Sequence, residues 1–140
     1  MVQNQNLATY QLPEWLLAQM RIVESAPEFA GAFVRWRADW EAYYFDLDGK
    51  MFALATAEHL VFKNTPAINE ELRTQYPAVI FPGYHFNKTH WNHIDVAVQS
   101  TTAELPDAII TKLLQASYEL VLAKLPKYRQ AQIKNTLTRA

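Results

Sequence analysis

The run from Glu41 to Thr56 constrains the fold of this chain more than any other. Glu41–Leu47 alternates, with Tyr43, Phe45 and Leu47 on one face and Tyr44 and Asp46 on the other. That two-residue period belongs to a strand. Asp48-Gly49 follows, the residue types a tight hairpin turn needs, because glycine reaches positive φ without strain. Lys50–Thr56 then returns as the second strand. The chain is therefore expected to be built on an antiparallel sheet.

The rest of the chain supplies the second layer. Pro13 suits the first turn of a helix. Trp15, Leu16, Gln19, Met20 and Val23 follow at helical spacing, and Ala26-Pro27 ends the run. Residues 28–40, where Arg35, Arg37 and Asp39 interleave with Phe33, Trp36 and Trp40, read as a loop or a short irregular strand. Leu60–Asn64 reads as a third strand broken by Pro66. Asn69 is placed to cap a short helix, Glu70–Tyr76, which Pro77 stops. Val79–Phe81 reads as extended, and Pro82-Gly83 fits the centre of a type II turn. Residues 84–87 and 90–98 read as two strands joined around Lys88-Thr89. Pro106 opens a long helix whose inward stripe is Ile110, Leu113, Leu114, Ser117, Val121 and Leu125. Pro126 ends it, and a short basic helix follows to about Leu137. The order α-β-β-β-α-β-β-α makes a two-layer α+β fold, an antiparallel sheet with helices on one face. Residues 1–12 read as a flexible N-terminal segment and 13–140 as a single domain.

Composition narrows the chemistry. With no cysteine, disulfides, thiolate metal sites and cysteine nucleophiles are excluded. The polar N-terminus has no apolar h-region, and no apolar run reaches membrane-spanning length. A cytoplasmic protein without a membrane partner is the expectation. The net charge is −1, and all 14 acidic residues precede residue 120. Residues 120–140 carry Lys124, Lys127, Arg129, Lys134 and Arg139 with no acid, a tail able to attract phosphate or to solvate a terminal helix.

Three blocks carry a family resemblance. Gly83-Tyr84-His85-Phe86-Asn87-Lys88-Thr89-His90-Trp91-Asn92 is similar to the hallmark Gly-Tyr-His-Met-Asn-Lys-Lys-His-Trp-Asn of the MmcQ/YjbR family. Gly49-Lys50-Met51-Phe52-Ala53-Leu54 resembles its Gly-Lys-Met-Phe-Ala block. Leu105-Pro106-Asp107, Ser117-Tyr118-Glu119-Leu120-Val121 and Ala123-Lys124-Leu125-Pro126 resemble its last helix. The resemblance covers about residues 41–127, in the same block order. It implies a small bacterial protein with a fold like that of CyaY and of type III secretion chaperones, and binding to DNA. The chain departs from the hallmark at Thr89, which removes a lysine from the turn, and at Phe86, which replaces a methionine. At His93 it departs from the small residue often seen there.

Strand parity sorts the candidate side chains. Ile94 and Val96 place Trp91, His93 and Asp95 on the face away from the core, and the same logic puts Tyr44, Asp46, His59 and Lys63 there. Aromatic rings with cations between them can stack bases and hold phosphates, although Asp46 and Asp95 would repel a phosphate backbone. The expected function is DNA binding without base specificity, with Lys50, Lys63, Lys88 and Lys124 on phosphates and Trp91 stacking. The alternative is a protein-interaction or chaperone-like module acting as a homodimer. His85, Asn87, His90 and Asn92 are expected to satisfy backbone groups around the hairpin. No metal is expected, since His90 and His93 have opposite parity. No cofactor and no catalysis are expected either, for the chain lacks a nucleophile elbow, a phosphate loop and a dinucleotide fingerprint.

Overall fold

The computed structural model of the chain describes residues 12–83 and 86–135. Helix α1 spans Glu14–Ser25, and a 3-10 turn, Pro27–Phe29, leads into strand β1, Ala32–Arg37. Three more strands follow: β2 (Ala42–Leu47), β3 (Lys50–Ala55) and β4 (His59–Lys63). Helix α2 is Pro66–Gln75, then come β5 (Ile80–Pro82) and β6 (Trp91–Asp95). The chain closes with α3 (Val96–Thr102), α4 (Asp107–Lys124) and α5 (Lys127–Lys134). The six strands form one sheet in the order β1-β2-β3-β4-β6-β5, and every pairing is antiparallel. The α+β class with helices on one face is what the sequence predicts.

The helix layer and the inner sheet face share one core. Leu16 and Val23 from α1, Leu72 from α2, Leu114 and Tyr118 from α4 and Ile133 from α5 meet Phe45, Phe52, Phe62 and Ile94 from the sheet. Helix α1 buries Leu16, Gln19, Met20 and Val23, a stripe at helical spacing. Gln19 is not stranded in that core. Its Nε2 donates to the Asp107 carbonyl at 3.1 Å, and its Oε1 accepts from Thr111 at 2.8 Å, tying α1 to the start of α4. Ser117, also buried, exchanges two bonds with the backbone of Lys63: the Lys63 N–H donates to its Oγ at 3.0 Å, and the hydroxyl donates to the Lys63 carbonyl at 2.6 Å. A helix side chain thus continues the hydrogen bonding of β4 at its last residue.

Several local expectations change. Residues 32–37 form a regular edge strand with inward Ala32 and Val34 and outward Phe33 and Arg35. Helix α2 begins at Pro66, with Thr65 as its cap (Ile68 N–H to Oγ1, 3.4 Å), and not near Asn69. The strand predicted over 90–98 stops at Asp95, whose carboxylate accepts from the Val98 N–H at 3.0 Å and starts α3. The strand partner of β6 in this half is β5, not residues 84–87. Of those four, Tyr84 and His85 lie outside the described residues, and Phe86 and Asn87 are irregular. Gly83 does not have the positive φ that a type II turn requires. Asp48 and Gly49 both do, at 56° and 81°, as a type I′ hairpin demands. Residues 1–11 of the expected N-terminal segment and 136–140 of the basic tail lie outside the described residues, and Leu12 is buried.

Candidate nucleic-acid interface

The outer sheet face carries no helix among the described residues. Registers place Arg35, Tyr44, Leu54, Val61, His93 and Phe81 in one row across the sheet. A parallel row pairs Lys63 with Trp91, and another pairs His59 with Asp95. Tyr44, His59, Lys63, Trp91 and His93 therefore share the outer face, as parity predicts. Ala42, Leu54 and Val61 form a small second cluster there, walled by Tyr44, Met51, Phe86 and Trp91.

Strand direction gathers the lysines. Strand β3 begins, β4 ends and β6 begins at the same end of the sheet, so Lys50, Lys63 and Trp91 lie at that end, and Lys88 sits in the turn just before Trp91. Lys63 Nζ stands 5.7 Å from the centroid of the Trp91 ring, an arrangement the ring quadrupole favours. Burial lowers the Lys63 pKa from its ordinary value, and the charge of Lys124 lowers it further. Lys124 occupies the last turn of α4, where the helix dipole favours a cation. No carboxylate forms an ion pair with Lys63 or Lys124 among the described residues. Lys50 is exposed at the β2–β3 hairpin.

The two acids that would repel phosphate are already engaged. Asp46 is buried and accepts from Arg35 Nε at 2.7 Å. Asp95 caps α3. Both carboxylates face cations or backbone N–H groups, which weakens their repulsion of an anion on this face.

The turn before β6 is held by polar side chains. Asn87 Oδ1 accepts from the Thr89 N–H at 2.9 Å, the backbone role expected of it. Asn92 works differently. It is fully buried on the helix side, accepts from Arg73 Nη1 at 2.6 Å, and donates to the Asn69 carbonyl and Oδ1, both at 3.2 Å. Arg73 also donates to the Lys88 carbonyl, and Asn69 to the Thr89 carbonyl. The hallmark turn is thus fastened to α2 through Arg73, which the sequence reading passed over, and Asn69, which it placed as a helix cap. His90 is exposed, and its contribution to the turn is through its backbone: its N–H donates to the Asn87 carbonyl and its carbonyl accepts from Asn64. His85 lies outside the described residues.

Gly83 explains its own place in the hallmark. A Cβ added there would lie 2.8 Å from Trp91 Cβ and 3.1 Å from the Trp91 carbonyl oxygen. The Gly83 N–H donates to that same oxygen at 2.9 Å. The glycine lets two backbones close together beneath Trp91, whose ring packs against Phe86 at a centroid distance of 5.1 Å and a tilt of 34°.

Beside Trp91, Phe81, Pro82, Lys88, His93 and Asp95 line an open depression of about 400 Å³. His93 is buried, its ring 4.2 Å from His59 and 5.6 Å from Phe81, and its Nδ1 has no hydrogen-bond partner. Burial pulls its pKa below the ordinary histidine value, His59 adds to this, and Asp95 opposes it. Among the described residues no three His, Cys, Asp or Glu side chains converge to hold a metal, and no helix is long and apolar enough to cross a membrane.

The outer face also holds residues the sequence reading did not assign to a site. On β1, Arg35 lies 4.8 Å over the ring of Phe33, and Arg37 lies 3.9 Å over Trp40. Their signal was the Arg/aromatic alternation of 32–37, which marks a strand with one charged face.

An antiparallel sheet, covered by helices on one side and carrying aromatic rings and Lys63 on the other, defines the class of protein. The chain belongs to the YjbR family, whose model matches residues 27–120. The match begins before the residues that carry the sequence resemblance and takes in β1. Among solved structures, the chain is similar to the Deinococcus radiodurans protein DR2400, described as a DUF419 domain. The identity is 28%, the TM-score 0.64, and the match covers 74% of this chain and 78% of that one. A protein from Pseudomonas syringae shares the fold at a TM-score of 0.56 and 18% identity, over 74% of this chain and 96% of that one. No curated protein matches the sequence significantly.

Proposed function

We propose that this protein binds nucleic acid without base specificity through the end of the outer sheet face where β4 and β6 meet, that it acts in the cytoplasm, and that it catalyses no reaction. The observation that carries this reading is Lys63 over the Trp91 indole ring, with Lys88 in the turn just before Trp91, Lys124 near enough for its charge to act on Lys63, and no ion pair to Lys63 or Lys124 among the described residues. Lys63 and Lys124, near each other and without an acid partner, retain a favourable interaction for an incoming phosphate. Trp91 adds a flat surface on which a base can stack. The reading is sequence-independent because ammonium groups on phosphates and a base stacked on a ring read no base edge.

Labelled duplex and single-stranded DNA, titrated at several salt concentrations, test this directly. Four phosphate contacts correspond to a log–log salt slope near −3 to −4, so that raising salt from about 50 to 200 mM lowers affinity roughly a hundredfold. Lys63→Ala should lower the slope by about one. Absence of binding at low salt, for both forms of DNA, refutes the reading.

A second reading, a protein-interaction module acting as a homodimer, draws on Phe33 and Trp40, which are 49% and 46% exposed. Light scattering after gel filtration decides it: a monomer at high micromolar concentration excludes a stable dimer.

A further inference from the structure

The outer face offers two aromatic platforms, and their spacing speaks to the form of the ligand. The first is Trp91 with Phe86, centroids 5.1 Å apart and tilted by 34°. The second is Phe81 with His93, centroids 5.6 Å apart and tilted by 32°. Phe81 and His93 are cross-strand partners, and Trp91 lies two residues before His93 on the same face of β6. Trp91 and Phe81 are therefore diagonal neighbours, which stand about 7–8 Å apart in an antiparallel pair.

We infer that the ligand of this face is a single-stranded nucleic acid, with one unpaired base on Trp91 and the next on Phe81. The inference rests on the nucleic-acid reading above and adds the state of the strand. In a duplex, each strand advances about 3.4 Å per nucleotide, and the bases cover one another and show only their edges in the grooves. Rings at more than twice that spacing cannot each take a base from a stacked strand. A strand drawn out of the duplex can present successive base faces at such intervals, and stacking on aromatic side chains is tolerant of sequence. Each platform has a cation beside it: Lys63 at the Trp91 ring, and Lys88 at the rim of the depression that Phe81 and His93 line. Burial and the neighbouring His59 favour the neutral form of the His93 ring, which packs against Phe81 as a flat surface. The overall charge of −1 fits as well. A binder that relied on phosphate alone would carry a strong basic excess.

The test uses the full chain at low salt, with fluorescence anisotropy of a labelled 12-nucleotide mixed-sequence single strand, its RNA counterpart, and the same sequence as a duplex. The single strand should bind about tenfold more tightly than the duplex. The DNA and RNA arms identify which source of single strand is preferred. Phe81→Leu, which keeps apolar volume but removes the ring, should cost the single strand roughly tenfold and leave duplex affinity unchanged, while Phe81→Tyr should retain single-strand binding. Circular dichroism melts confirm that each variant is folded. Equal or tighter binding of the duplex overturns the inference while the nucleic-acid reading stands. So does unchanged single-strand affinity in folded Phe81→Leu. Failure of every oligonucleotide to bind overturns both.

Discussion

Replacing Gly83 with alanine adds a single methyl group at the tightest point of the site. The new Cβ would sit 2.8 Å from Trp91 Cβ and 3.1–3.2 Å from the Trp91 carbonyl group, against ordinary contacts near 3.5–4.0 Å. Two of the three nearest atoms are backbone, so a rotamer change in Trp91 cannot relieve the clash; β6 or the chain at Gly83 must move. Overpacking of this kind costs about 1–3 kcal/mol. The separation also strains the 2.9 Å bond from the Gly83 N–H to the Trp91 carbonyl, worth about 1 kcal/mol. The total is roughly 2–4 kcal/mol, a large share of the 5–15 kcal/mol typical of a domain, and equivalent to a fall in melting temperature on the order of 10 °C. Gly49→Ala is the control. Its Cβ meets nothing within 4 Å, but its φ of +81° costs an alanine about 1–2 kcal/mol. Thermal melts by circular dichroism should therefore rank wild type above Gly49→Ala above Gly83→Ala. If Gly83→Ala melts within about 2 °C of wild type, the close-approach account of this glycine is wrong.

Three further outcomes are expected. Asn92→Ala removes an acceptor for Arg73 and a donor to Asn69 inside a buried network, and urea unfolding should show a loss of about 3 kcal/mol; a loss below about 1 kcal/mol would show that the network relaxes or takes up water. Ser117→Ala leaves the Lys63 N–H and carbonyl without the hydroxyl that serves both, and should lower stability by about 1–3 kcal/mol, with faster amide exchange at Lys63 as its local signature. For His93, burial depresses the folded-state pKa below the ordinary 6.5. The unfolded chain therefore takes up a proton first, and stability should be full above pH 6.5 and fall as pH drops through that value toward the lower folded pKa. Melting temperatures from pH 7.5 to 5 should show this slope in wild type and a shallower one in His93→Gln; equal slopes would remove His93 as the cause.

Elements governed by local chemistry were legible in the sequence, and those governed by a distant partner were not. Asp48-Gly49 and the alternation on either side of it specify β2 and β3 outright. The stripe of α4 is equally plain, down to the polar Ser117. Asp95 misled, because Ile94, Val96 and Val98 continue a strand pattern past the point where the carboxylate caps a helix. Thr65-Pro66 contains both a cap and a favoured first-turn proline, yet Pro66 looks like a breaker when read only against the strand before it. On the outer face, parity alone located Tyr44, His59, Lys63, Trp91 and His93. The approach of Lys124 to Lys63 required helix placement against the sheet, which no one-dimensional pattern contains. Asn92 reads as a hairpin residue, whereas its partners, Asn69 and Arg73, are about 20 residues away on α2.

The edges of the sheet have a bearing on how this protein behaves when crowded with copies of itself. A bare edge strand is a template on which another chain can polymerise. At β1 the edge-facing N–H of Val34 is already occupied, donating to Glu24 Oε2 of α1 at 3.3 Å. At the opposite edge β5 is only three residues long and ends in a proline, which has no N–H to offer. Strand addition is thus opposed at Val34 on one edge of the sheet and at Pro82 on the other.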